Sequence, residues 1–408
     1  MISVLVRVSL NSCSHVRDRN VEDGKTPLTA EPDATPFLDR RLPLPRRSSL
    51  NVSDISATIW FVVVGLAIVA AAVAIRSPQR AAFDDWILQP DLASRVMLAA
   101  IEIIAAYFAA LTLHELGHVI GGLSVGFRFQ HLRVSLLTID RAKRILLNRE
   151  LHRITTGEAK LLPQTEGTER SSFAALVAGG PAANLASALL VAALSSSPMA
   201  TFFVVISTIM GVSELLPLQT LFAVTDGARL RMLFFDRPRG ERWMAILQLS
   251  AASSDARSPE KLSPPLLAIA TAVSDASPDT VTAHAMAYYA ALTRQQYAEA
   301  GRFLEVCLRC ADHARPGVRE ALKSDAVVYQ AAIRKSPQLA GAWLQDLSPK
   351  AAPWLRVRSE ATLLAATGSL AEAWRKLDDF EKSGAAEPHL LPLLTKWKAA
   401  LQPGARPA

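Results

Sequence analysis

Cysteine is scarce: Cys13, Cys307 and Cys310 are the 3 in 408 residues. So sparse and odd a set excludes a disulfide framework. Cys307-x-x-Cys310 has the spacing of a redox or metal half-site, but no second pair accompanies it, and packing is the expected role. A secretory signal is missing too, because the apolar run Ile2–Leu10 is short and broken by Arg7. Charge is absent over long stretches, from Ile55 to Ile75 and from Ser171 to Ser213. Together with a positive mean hydropathy, such runs exclude an ordinary soluble enzyme. Acidic excess is missing as well, and the formal net charge is +7. The basic residues cluster beside the apolar runs, which fits anionic lipid headgroups better than nucleic acid. No nucleic-acid partner is expected.

What is present reads as a mainly α, polytopic membrane protein. Residues 1–54, rich in Arg, Asp, Pro and Ser, predict a disordered cytosolic arm. Spans are expected at about 55–75, 96–123, 172–194 and 199–221, four in all, with Ser195-Ser196-Ser197-Pro198 as the turn between the last two. Lys and Arg fill alternate loops. Arg40, Arg41, Arg46 and Arg47 precede the first span, Arg141, Lys143 and Arg144 follow the second, and Arg229, Arg231, Arg237 and Arg239 follow the fourth. Both termini are therefore expected on the cytoplasmic side. After the second span, Val125–Val134 alternates aromatic and branched residues with polar ones, which predicts a small β element.

Beyond residue 239 the texture changes. Ser, Asp and Pro punctuation marks 240–265 as a linker, and Ala-rich helical patterning fills 266–400. Tyr297-Ala298-Glu299-Ala300, Leu339-Ala340-Gly341-Ala342-Trp343 and Leu370-Ala371-Glu372-Ala373-Trp374 echo one another. The region looks like a degenerate tetratricopeptide-type helical repeat, which offers a binding face for a protein partner.

The chemistry concentrates at His114-Glu115-Leu116-Gly117-His118, inside the second span. On a helix the two imidazoles share one face, one turn apart, and can hold a zinc ion, with the intervening Glu as general base. Two imidazoles alone do not make a catalytic site, so a third ligand must come from elsewhere. Asp226, in Thr225-Asp226-Gly227, sits where the fourth span is expected to emerge at the depth of His114. Glu102, three turns before His114, is expected to make a structural polar contact.

Three segments carry a resemblance to the site-two protease family of intramembrane zinc metalloproteases. They are His114–His118, Ala178-Gly179-Gly180-Pro181-Ala182-Ala183-Asn184-Leu185, and Leu215-Leu216-Pro217 leading to Thr225-Asp226-Gly227. The resemblance covers about residues 95–235. It implies one Zn²⁺ per chain on His114, His118 and Asp226, with Glu115 as the catalytic base. It also implies a membrane-anchored protein substrate cut near the cytoplasmic face, and a bacterial inner-membrane setting. Asn184 is the residue placed to bond substrate or a neighbouring helix. Glu214 stands where the family usually has Asn, and an ionised Glu cannot donate to an oxyanion. That departure sustains a second expectation, a weak or inactive member serving as a membrane scaffold through its C-terminal helices.

Overall fold

The computed structural model describes residues 35–44, 92–147, 154–164, 167–195, 197–218, 224–256, 261–386 and 390–401. The expected first span, 55–75, lies outside them. The described chain is mainly helical with one small antiparallel sheet. It forms two compact units, Ser49–Gln248 and Met1–Ser48 with Leu249–Ala408.

In the first unit, helix α1 (Leu92–Ser124) leads into strands β1 (Arg128–Val134), β2 (Leu137–Asp140), β3 (Ile145–Leu147) and β4 (Gly157–Leu162). Helices α2 (Arg170–Leu194), α3 (Pro198–Leu215), α4 (Asp226–Phe235) and α5 (Arg237–Ala256) follow. The strands lie in the order β3-β2-β1-β4, all neighbours antiparallel. The β element expected after the metal helix is therefore present.

Val96–Ser124, Arg170–Leu194 and Pro198–Leu215 are long and apolar enough to cross a membrane. Val96, Met97, Ile101 and Ile104 on α1, and Leu189, Leu190 and Leu194 on α2, leave large apolar side chains exposed. A contiguous apolar surface of that kind marks a lipid or protein contact rather than one with water. Between apolar helices in lipid there is little hydrophobic gain, so close packing must hold them. Small residues supply it. A Cβ on Gly117 would meet the Gly179 carbonyl oxygen at 2.2 Å, and one on Gly179 would meet the Gly117 oxygen at 2.3 Å. Ala106, Ala110 and Phe203 complete the buried contact among α1, α2 and α3.

Two boundaries differ from expectation. The last span was expected to run to 221, but α3 stops at Leu215. Leu216 is extended, with ψ 135°, because the residue before a proline is pushed out of the helical region and Pro217 cannot continue the ladder. In contrast, α2 begins at Arg170, ahead of the expected 172, and passes unbroken through Pro181, so Gly179-Gly180-Pro181 lies within the helix. The turn between α2 and α3 is as expected. Ser197 caps α3 by accepting the Ala200 N–H (3.2 Å), with Pro198 at the first helical position.

The expected linker 240–265 is also largely helical. No proline occurs from Arg239 to Ser258, so nothing interrupts α5, and the boundary between units falls inside it at Gln248/Leu249.

The second unit is helical throughout its C-terminal part: α6 (Pro264–Thr271), α7 (Pro278–Thr293), α8 (Tyr297–Arg309), α9 (Pro316–Val328), α10 (Pro337–Gln345), α11 (Pro353–Ala366), α12 (Leu370–Lys382) and α13 (Leu391–Leu401). Neighbours in sequence pack on one another, α7 on α8, α9 on α10, α11 on α12 and α12 on α13. Each of the three echoing fragments opens a helix or lies in its first turns, in α8, α10 and α12. The fully buried alanines are Ala300, Ala340 and Ala373, so the middle fragment sits two residues out of step with the others. Cys307 and Cys310 are free and buried. Burial holds the Cys307 thiol well above its ordinary range, as suits a packing residue.

Residues 35–44 correct the reading of 1–54 as a disordered arm. Thr35–Arg41 makes a single turn closed by Asp39 N–H to Thr35 O (2.9 Å) and Arg41 N–H to Pro36 O (2.7 Å). Leu38 is wholly buried in the core of the helical unit, beside Leu304, Leu308 and Trp343. Its polar neighbours in sequence masked one well-placed leucine.

Candidate metal centre

On α1 the four-residue spacing stacks His114 above His118, both turned to α2. Their Nε2 atoms are 3.1 Å apart. Asp226 Oδ2 lies 3.4 Å from Nε2 of His114 and 3.2 Å from Nε2 of His118. Ligand bonds of about 2.0–2.1 Å in a tetrahedral zinc site place neighbouring donors about 3.3 Å apart. The three observed separations are those of one face of such a tetrahedron. His114, His118 and Asp226 thus form a group that can hold a metal ion.

The protons are arranged for it. His118 Nδ1 lies 2.9 Å from the Leu176 carbonyl oxygen on α2. A carbonyl only accepts, so Nδ1 carries the hydrogen and Nε2 presents a bare lone pair. Asp226 Oδ2 is buried and makes no hydrogen bond. Two imidazole nitrogens and a carboxylate oxygen converge there, and a shared cation would satisfy all three. The donor set therefore fits a divalent ion.

Asp226 reaches the imidazoles because of what surrounds it in sequence. Pro217 ends α3, and the chain returns as α4, whose first residue is Asp226. Thr225 clasps that return. Its hydroxyl donates to Leu216 O (2.5 Å), accepts from Leu218 N–H (3.1 Å) and caps α4 at Ala228 N–H (3.3 Å). Gly227 lets α4 touch the end of α3, since a Cβ there would meet Leu215 O at 1.9 Å. Each residue of Thr-Asp-Gly has a distinct task.

Glu115 is buried and points from α1 toward the start of β4, where its carboxylate accepts the Ala159 N–H. Gly157 leaves room for it, as a Cβ there would lie 2.2 Å from Glu115 Oε1. Tyr107 ties the same helix to the approach to β4, donating to Thr155 O at 2.6 Å.

Asn184 on α2 is fully buried, with Nδ2 at 3.3 Å from His114 Nδ1, and Oδ1 without a partner. Its main-chain oxygen accepts from the Ser207 hydroxyl of α3 at 3.0 Å. Asn184 is thus a contact of a metal-ligand candidate, more specific than the substrate or interhelical bond expected. Glu214, near the end of α3, is half-buried. It lies near Asp226, His114 and His118, but it is outside the three-ligand group. Glu102 keeps one buried carboxylate oxygen with no hydrogen bond among the described residues.

Sequence reasoning missed Leu176 O and Ser207. A backbone carbonyl leaves no mark in a sequence, and Ser207 is a lone hydroxyl in an uncharged run. No protein-family model, curated protein or solved structure matches the chain.

Proposed function

We propose that the chain is an integral-membrane zinc endopeptidase of the site-two protease type, cutting membrane-anchored proteins near the cytoplasmic face. The observation that carries this reading is the triangle of His114, His118 and Asp226, with Glu115 beside it, on a helix long and apolar enough to cross a bilayer. Buried ionisable groups in such a helix are costly, and function is the usual compensation. In this reading the chain has four spans, the first at 55–75, with both termini in the cytoplasm of a bacterial cell and a tetratricopeptide-like repeat at the C-terminus.

His114, His118 and Asp226 would hold one Zn²⁺, which when bound would supply Lewis acidity toward a carbonyl and toward water. Glu115 takes the proton of the attacking water and passes it to the leaving amine. Asn184 fixes the ring of His114, and the Leu176 carbonyl fixes that of His118, so neither ligand rotates during the reaction. Apolar packing around the pair keeps bulk water out, which strengthens each of these electrostatic contacts. A substrate helix must unwind to present its carbonyl, so cut sites are expected near helix-weakening residues.

The test is Glu115→Gln assayed on a membrane-anchored substrate in proteoliposomes. Cleavage is expected to fall at least about 100-fold, as a lost general base is worth two to four decades, while zinc content stays at one per chain. Wild-type turnover by this variant would remove the mechanism.

Glu214 favours a second reading, a weakly active or inactive scaffold. Next to Asp226 N–H, at the place of the family's Asn, it adds an acceptor where a donor is wanted. Purified chain that holds zinc yet cleaves no unwound transmembrane peptide would support the scaffold, and cleavage gained on Glu214→Asn would trace the defect to that side chain.

A further inference from the structure

The turn Thr35–Arg40 is held in the helical unit in the manner of a bound peptide. Glu305 accepts two successive main-chain N–H groups, from Phe37 (3.0 Å) and Leu38 (2.8 Å). The Leu38 carbonyl receives two donors, Gln330 Nε2 (2.9 Å) and Trp343 Nε1 (2.9 Å). Glu305, Gln330 and Trp343 are at most 7% exposed, so three buried polar side chains serve one residue's backbone. Around them, the leucine side chain fills an apolar socket. Asp39 pairs with Arg334, and the Arg40 guanidinium lies over the Trp343 ring, 4.8 Å from its centre.

Two further observations point to recognition rather than to core filling. Gln330 lies in a π-helical turn, Tyr329–Ile333, at the end of α9. Such turns are rare and concentrate at functional sites, and this one aims a fully buried carboxamide into the groove. Its Oε1 is buried and has no hydrogen bond among the described residues. The contacts also read a short pattern: backbone at two positions, one leucine, one acid, one guanidinium. Any single-turn peptide with Leu-Asp-Arg meets them.

We propose that the groove among α8, the π-turn and α10 is a peptide-binding site specific for a Leu-Asp-Arg helical turn. Thr35–Arg40 is its built-in, displaceable occupant. A partner protein carrying the same turn binds by evicting it. Every residue of the groove belongs to the helical unit, so the site is independent of the peptidase reading.

The experiment uses the full chain in detergent micelles and a fluorescein-labelled peptide of residues 33–46, followed by anisotropy. A tethered occupant lowers apparent affinity by the fraction of time it fills the groove. Leu38→Glu in the chain vacates the groove, and this variant is expected to bind the probe at least about tenfold tighter than wild type. The probe carrying the same Leu→Glu change is expected not to bind. Adding Trp343→Phe to the vacated chain removes one donor and keeps the ring, and should weaken binding about tenfold. Circular dichroism and thermal unfolding are recorded on each chain. A vacated chain that keeps its helix content and melting temperature but ignores the probe overturns the proposal. So does a vacated chain that loses its helical fold, since the segment is then a structural strap.

Discussion

An imidazole that ligates through Nε2 must carry its proton on Nδ1, and that proton needs an acceptor. His118 has one in the Leu176 carbonyl. For His114 the neighbour is the Asn184 carboxamide, drawn with nitrogen toward the ring and oxygen unpartnered. A cation at Nε2 selects the opposite orientation, with Oδ1 accepting from Nδ1–H. Asn184→Leu is expected to lower zinc affinity by about 10- to 100-fold, measured by competition with a chromophoric chelator. Asn184→Asp keeps the acceptor and should stay within a few-fold of wild type. Equal losses in both variants would show that packing, not ring orientation, sets the affinity. The ligands themselves were legible because a helix turns a four-residue spacing into a shared face. Their supports were not, because Leu176 O is backbone and Ser207 meets Asn184 only after α2 and α3 pack.

At the scale of elements, the metal group depends on two close approaches. The first is Gly117 against Gly179, which sets how near α1 and α2 lie. The second is Gly227 against Leu215, which delivers Asp226. Gly227→Val is expected to push α4 off α3 and cost nearly all zinc binding while leaving helix content unchanged. Zinc stoichiometry and far-ultraviolet circular dichroism read the two outcomes, and retained stoichiometry would show that Asp226 is not the third ligand. The long apolar helices were legible from length and charge alone. Their ends were not fully so, since Pro217 stops a helix while Pro181, in a similar apolar setting, is carried within one. Sequence lists the same residue twice, and only the neighbouring packing distinguishes the cases. The folded turn at 35–44 was hidden for a related reason: a single leucine does not make a periodic pattern.

Across the whole molecule, two compact units predict two separable unfolding events. The helical unit holds a buried pair, Asp325 with Arg358 (2.5 Å), and Tyr289 donates to the same carboxylate. Removing one partner strands the other charge, so Arg358→Met should destabilise that unit by about 3–5 kcal/mol. Adding Asp325→Asn should recover part of the loss. Calorimetry of the full chain should show one transition lowered by Arg358→Met and a different one lowered by chelation of the metal, since a ligand stabilises only the unit that binds it. A single transition that answers to both would mean that the units unfold together.

The placement of Asp226 beyond Pro217 has a consequence for construction. Two donors stand on one rigid rod and exist as a pair once that rod has formed. The third stands on the first residue of α4, which Thr225 fastens to the chain around Pro217. An ion held among the three would therefore cross-link the start of α4 to α1, two elements far apart along the chain.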